Sequence, residues 1–336
     1  MAENENTAAI ANVISSTIFK VFHWELHAQN NTNFDCVLPS HKNEEGKTKL
    51  THPGDVVFYY LDPYLNKIIY LHTDLKSYKK GSIQAKKIRE ALNSLAMTIE
   101  CAHQSPTWRT KFKAVDNHQY EVRGLLFVAN HDNKATKRFG ELLKSISKSN
   151  LPIAKGEQLH VLGPVEITSL FCVATDIKLL VHDQKISAAY RFFYPDQTLW
   201  KRQVPDDQRT GATIEMLMAP HFILRHSAVM DGGKTITPAG SVVYYARQGN
   251  TVEEFVYLLD CLSRYQLVNS REQIQIRAFH PDRSLNLRNN FGKAKQRYCD
   301  MWGFEGDRAQ EIMLITVESV PQTNPNYSPD EIGWKQ

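Results

Sequence analysis

The chain has no apolar run approaching the roughly twenty residues that a membrane-crossing helix requires. Its longest candidates, Val56–Leu61 and the polar-interrupted Val165–Thr175, are far shorter. The opening residues, MAENENTAAI, lack the cationic and then apolar pattern of a secretion signal. A membrane protein and a secreted one are both disfavoured, and a cytoplasmic location is expected. Cysteine is sparse: Cys36, Cys101, Cys172, Cys261 and Cys299 are odd in number, widely spaced and never arranged as CxxC. In largely apolar surroundings they read as reduced core residues, not as a disulfide framework or a metal site. No internal repeat of fixed period is present. Asp231-Gly232-Gly233-Lys234 reads as a turn and not as a phosphate loop, because the glycine spacing and the Lys-Ser/Thr ending are missing. Charge of one sign is nearly balanced too. Forty Lys and Arg against 36 Asp and Glu leave +4, which neither marks nor excludes a polyanion binder.

What the sequence does have is 42% hydrophobic residues over 336 positions, enough for about two packed domains. Ile10, Ile14, Ile18, Val21 and Phe22 recur at helical spacing, so a helix is expected over Ala8–Ala28, with Glu25 an acid on its apolar stripe. Two β-branched and aromatic runs, VVFYYL and NKIIYLHTDLKSY, flank the turn DPYLN and read as a hairpin. A helix over Ser82–Ala102 capped by Ser82, a strand at Gly124–Ala129 and a basic helix at Ala135–Ser147 are expected to follow. Residues 1–185 thus form one α/β unit. After the polar stretch KRQVPDDQRTGA, strands at VVYYA, QIQIRAF and EIMLITVESV alternate with helices at Thr251–Tyr265 and Gly292–Trp302. That order implies a second α/β lobe over 186–336.

The hairpin carries the chemistry. A turn centred between Tyr64 and Leu65 sets Asp55 opposite Asp74, with β-carbons roughly 5 Å apart. Lys76 lies two residues beyond Asp74 and points to the same face. Paired carboxylates repel unless a cation sits between them, and an all-oxygen site with open positions suits Mg²⁺ or Mn²⁺. The Leu75 carbonyl could supply a further oxygen, while Lys76 could serve a water or offset charge on a phosphate. The same residues admit a plainer reading, in which Asp55 caps a turn, Asp74 and Lys76 form an edge-strand ion pair, and Glu25 begins the polar end of its helix.

Pro53-Gly54-Asp55 followed by Asp74-Leu75-Lys76, with Glu25 upstream on a helix, resembles the PD-(D/E)xK phosphodiesterase superfamily of restriction enzymes and DNA-repair nucleases. The resemblance spans about residues 8–130 and departs from the pattern in the glycine between the proline and the first acid. It implies a restriction-endonuclease-like core, a central mixed sheet flanked by helices. It also implies Asp55 and Asp74 as metal ligands, Lys76 as catalytic and Glu25 as auxiliary. The activity implied is that of a Mg²⁺-dependent endonuclease acting on DNA rather than RNA. The HTDLKSY segment is similar to nucleases of bacterial antiviral defence loci.

Positive charge gathers beside this motif at Lys79, Lys80, Lys86, Lys87 and Arg89, and again at Lys134, Lys137, Arg138, Lys144 and Lys148. Tyr78, Lys79, Lys80, Lys86, Lys137 and Arg138 are the expected nucleic-acid contacts; solvated helix faces are the alternative. His52 and His72 flank the acids and read as structural histidines more than as substrate contacts. The second lobe shows no metal cluster. Substrate recognition, homo-oligomerisation or docking to a second defence protein would each explain it. The rival to a nuclease is a non-catalytic nucleic-acid-binding or scaffold subunit that keeps the fold.

Overall fold

A computed structural model gives the structure of residues 15, 17–43, 45–115, 118–130, 139–146, 151–195, 210–268 and 272–323. The start of the expected first helix, most of the polar stretch after residue 200, and Lys134, Lys137, Arg138 and Lys148 lie outside the described residues. The chain divides into two compact units between Phe171 and Cys172.

In the first unit a helical segment at 17–21 (α1) leads into β1 (Glu25–Leu26). β2 (Phe34–Asp35) and β3 (Thr51–His52) make a small antiparallel pair. The hairpin of β4 (Val56–Asp62) and β5 (Lys67–Tyr78) follows, then α2 (Ala85–Gln104), α3 (Pro106–Phe112), β6 (Tyr120–Asn130), α4 (Phe139–Ser145) and β7 (Leu159–Leu162). The main sheet runs β1-β4-β5-β6-β7. Its first two pairings are antiparallel and its last two parallel. It is the mixed sheet flanked by helices that the sequence implied.

Both faces of that sheet are covered. On one, Ile88, Leu92, Leu95 and Ile99 form the buried stripe of α2 and pack with Val57, Ile68, Tyr70, Val122, Leu126 and Val128. On the other, Phe19 of α1 meets Phe58 and Phe127, the residues of opposite parity, at centroid distances of 4.8 and 6.1 Å. Each buried aromatic or aliphatic side chain contributes about 1.5–3 kcal/mol. Double burial also explains why β6 is apolar without alternation from Val122 to Ala129 apart from Arg123 and Gly124.

α1 ends earlier than its periodicity suggests. His23 adopts a left-handed φ of 59°, and the His23 and Trp24 amides donate to the Lys20 and Phe19 carbonyls. Trp24 then stacks on Phe19 at 4.2 Å. This Schellman closure with its apolar contact stops the helix, so Glu25 lies on a strand and not on a helical stripe. Ser82 is not the cap of α2. It closes a short 3₁₀ turn, Lys80–Ser82, and Gln84 takes the N-cap position without a side-chain bond.

In the second unit, α5 (Pro164–His182) contains the point of division and leads to β8 (Tyr190–Phe192), α6 (Ile214–Leu217), β9 (His221–His226) and the hairpin of β10 (Val229–Asp231) and β11 (Lys234–Thr237). β12 (Gly240–Tyr245), α7 (Val252–Arg264), β13 (Gln273–Ala278), α8 (Leu287–Trp302), α9 (Gly306–Leu314) and β14 (Thr316–Ser319) complete it. Thr251 caps α7 by accepting the Glu254 amide, and Gly232 and Gly233 make the β10–β11 turn. EIMLITVESV is not one strand. Ile312 and Ile315 are buried while Leu314 is 71% exposed, a helical spacing that gives EIML to α9. The sheet order is β8-β9-β12-β13-β14, again two antiparallel pairings followed by two parallel ones. Among the described residues, no helix is long and apolar enough to cross a membrane.

Candidate active site

The site is built by the β4–β5 turn. Asp62 Oδ1 accepts the amides of Tyr64 and Leu65 at 2.9 and 3.1 Å, and Asn66 takes a left-handed φ of 50°. Both are residues suited to these turn positions. The turn sets the ladder Val56↔Thr73 through Asp62↔Lys67, and one step further Asp55 stands opposite Asp74. This is the register anticipated from a turn centred between Tyr64 and Leu65. Val57, Tyr70 and His72 share the face of Asp55, Asp74 and Lys76, so the acids look toward α2. Ser94, Leu95 and Thr98 of α2 line a small cleft with Pro53, Asp55, His72, Thr73 and Asp74.

Hydrogen bonds complete the geometry. Asp55 Oδ2 accepts the Leu75 amide at 3.2 Å. The Leu75 N–H therefore points toward β4, and its carbonyl points the same way. Asp74 itself is left in a non-hydrogen-bonded pair with Asp55, the arrangement that brings side chains closest. Lys76 Nζ lies 2.5 Å from Asp74 Oδ1. Burial pushes the Asp74 carboxyl up to about 6; Lys76 opposes that rise and Asp55 adds to it. Burial works against the Lys76 ammonium, but Asp74 and then Asp55 outweigh it and hold the lysine charged.

The approach to Asp55 is fixed by packing. Trp108 Nε1 donates to His72 Nδ1 at 3.4 Å, so His72 Nε2 carries the proton and donates to the Pro53 carbonyl at 2.9 Å. His72 is buried and its pKa is lowered by burial, as befits a structural histidine. A side chain at Gly54 would stand 2.6 Å from the Thr32 carbonyl oxygen and 3.0 Å from Phe112. The glycine between proline and acid is thus a packing requirement.

Over residues 1–166 the sequence matches the family model described as the GAPS4 protein PD-(D/E)XK nuclease domain. The first lobe belongs to the PD-(D/E)xK nuclease superfamily. No curated protein matches the chain.

Within this nuclease domain the other anticipated residues are less closely gathered. Glu25 is exposed on β1 and pairs with Tyr59, four positions along β4 from Asp55, or roughly 13 Å at strand rise. α1 covers the sheet face opposite the acids, so its stripe could not deliver a carboxylate to them. Tyr78 is half-buried, with Lys87 Nζ 5.9 Å from its ring centroid. Lys79, Lys86, Lys87 and Arg89 are exposed, and Lys86 approaches Glu90 at 4.0 Å. The backbone of Lys80 opens the 3₁₀ turn.

A second constellation escaped the sequence reading. Cys36, His41, His52 and Cys101 bring four possible ligand atoms within 4.8 Å of one another. The Cys36-x4-His41 spacing was the available signal, but Cys101 on α2 is too remote in sequence to join to it. In the second lobe, the place beyond the last β9–β12 ladder pair holds Pro220 and Ala246, joined by an Ala246 N–H to Pro220 carbonyl bond of 2.8 Å. Neither side chain can bind a metal.

Proposed function

We propose that the protein is a divalent-metal-dependent endonuclease that hydrolyses phosphodiester bonds in DNA. The observation that carries this reading is the apposition of Asp55 and Asp74 with Lys76 on the same carboxylate, inside a nuclease-superfamily domain. The donor set fits Mg²⁺ or Mn²⁺: Asp55, Asp74 and the Leu75 carbonyl are hard oxygens, and the mutual repulsion of the two acids calls for a cation. Bound there, such an ion supplies Lewis-acid polarisation of the phosphate and of the attacking water. Lys76 holds an ammonium at the same place, where it orients the water and offsets charge accumulating on the phosphate. His72, Gly54 and the Asp62 turn keep the acids in register.

The exposed lysines at the start of α2 are suited to the DNA backbone, whose phosphates they would meet without reading sequence. DNA rather than RNA, the second lobe as a recognition or oligomerisation module, and a setting in antiviral or anti-plasmid defence with a second protein all belong to this proposal. The test is cleavage of linear and circular DNA with and without Mg²⁺. Asp74→Ala should abolish it with the circular dichroism unchanged, and Lys76→Ala should lower it by roughly 10²–10³-fold. Full activity in Asp74→Ala overturns the assignment. Metal-independent DNA binding without hydrolysis by the native protein would instead identify a scaffold subunit.

A further inference from the structure

We propose that Cys36, His41, His52 and Cys101 form a Cys₂His₂ zinc site that ties the loop between β2 and β3 to α2, separate from the carboxylate site. Cys36 follows β2, His41 lies in the loop, His52 is on β3 and Cys101 is on the inner face of α2. A tetrahedral zinc with bonds of about 2.3 Å to sulfur and 2.0–2.1 Å to nitrogen sets its donors roughly 3.3–3.8 Å apart. Cys36 Sγ lies 3.4 Å from His41 Nδ1, and His41 Nδ1 lies 3.2 Å from His52 Nε2.

The surrounding hydrogen bonds determine which nitrogens are free. Thr98 Oγ1 donates its proton to the Ser94 carbonyl at 2.8 Å, so toward His52 Nδ1, 3.3 Å away, it accepts. His52 therefore carries its proton on Nδ1. The Glu100 carboxylate, 3.1 Å from His41 Nε2, accepts the proton of that nitrogen. With both rings neutral, as metal ligands must be, the unprotonated nitrogens His41 Nδ1 and His52 Nε2 face each other across 3.2 Å. Two lone pairs so placed repel, and a cation shared with the two sulfurs removes that repulsion. Carboxylate and hydroxyl partners behind imidazole ligands are the usual support of such a centre. The Val37 amide also donates to Cys101 Sγ at 3.1 Å, a bond that stabilises a thiolate.

The loop itself gives an independent reason. Among the described residues between Cys36 and His52, only His41 is buried, and Leu50 is 79% exposed. A loop that buries a histidine and no aliphatic residue has little hydrophobic anchorage and needs a cross-link. Two thiols and two imidazoles without a carboxylate ligand select zinc over magnesium. The site braces the active acid, because His52 directly precedes Pro53-Gly54-Asp55 and Thr98 lines the acid cleft.

Elemental analysis of the full-length protein, purified without chelator, tests this. One zinc per chain is expected, falling to trace in Cys36→Ser and Cys101→Ser and unchanged in Asp74→Ala and Cys299→Ser. Should the cysteine variants not fold, the native protein stripped of metal and refilled with Co²⁺ should show tetrahedral d–d absorption and a sulfur-to-cobalt charge-transfer band. Trace metal with no cobalt spectrum overturns the proposal. So does a full equivalent of iron or copper in place of zinc, or zinc that disappears with Asp74→Ala. Zinc retained by a protein that cleaves nothing would refute the nuclease reading and leave this one standing.

Discussion

Replacing Asp74 by asparagine should stabilise the metal-free protein while destroying its activity. Burial and the neighbouring Asp55 raise the Asp74 carboxyl to about 6 from 3.8, even with Lys76 beside it. At about 1.4 kcal/mol per pH unit, holding the charge at neutral pH costs up to roughly 3 kcal/mol. The side chain is only 17% exposed, so screening removes part of this and about 2 kcal/mol is expected. For a lobe of this size that is roughly 4–8 °C in Tm. The sign follows from linkage. A carboxyl whose folded pKa exceeds its unfolded one gives stability that is fully present below about 3.8 and lost as pH rises through about 6. Metal-free native protein should therefore be less stable at pH 7.5 than at pH 5.5 as far as this group is concerned, and Asp74→Asn should lessen that difference. Millimolar Mg²⁺ should restore the native protein, by about 2.7 kcal/mol at a hundredfold excess over Kd, and leave Asp74→Asn unmoved. Differential scanning fluorimetry in EDTA and in Mg²⁺ at the two pH values reads all of this. An asparagine variant that melts lower than the native protein in EDTA, or gains as much from Mg²⁺, would refute the electrostatic account of the site.

Gly54→Ala places a methyl 2.6 Å from the Thr32 carbonyl oxygen; a loss of about 1–3 kcal/mol and a fall in DNA cleavage are expected, measured by melting and by a gel assay. In the second lobe, Asp176 accepts from Arg277 Nε and Tyr244 Oη at 3.0 Å each, and Arg277 Nη1 reaches Glu318 at 2.5 Å. Asp176→Ala leaves Arg277 buried with half its partners and should cost about 3–5 kcal/mol in chemical denaturation, whereas Asp176→Leu combined with Arg277→Met should cost less. Lys86→Gln with Lys87→Gln should reduce the slope of log affinity against log salt by about 0.9 for each phosphate these lysines neutralise, with melting temperature unchanged.

The hairpin was legible because three local signals agree: two runs rich in β-branched and aromatic residues, the Asp-Pro and Asn turn residues between them, and a loop short enough to fix the register. Asp55, Asp74 and Lys76 follow from that register by arithmetic alone. Glu25 was misplaced because periodicity says nothing about where a helix closes. The left-handed His23 and the stacking of Trp24 on Phe19 decide that, and they depend on contacts with the sheet. The same limit applies to EIML, a run that suits a strand by composition but is spaced for a helix. The Cys/His group was invisible for another reason. Its fourth member comes from α2, and only the packing of that helix behind β3 brings Cys101 to the loop.

The two lobes show why a shared strand arrangement does not distribute chemistry evenly. Each has a central antiparallel pairing flanked by one further antiparallel and two parallel partners. In the second lobe the backbone continues past the ladder: the Ala246 amide finds the Pro220 carbonyl, and no side chain is required there. In the first, the Gly54 carbonyl, which stands opposite Leu75 in this register, accepts the Thr32 amide instead, so the Leu75 amide is left for the Asp55 side chain. The candidate centre therefore originates where backbone pairing stops. A carboxylate must then satisfy the strand, and a second carboxylate in the non-hydrogen-bonded position opposite comes close enough to share a cation with it. Carboxylates grafted onto Pro220 and Ala246 would not reproduce this, because the backbone bond between those residues gives them the wider kind of pair.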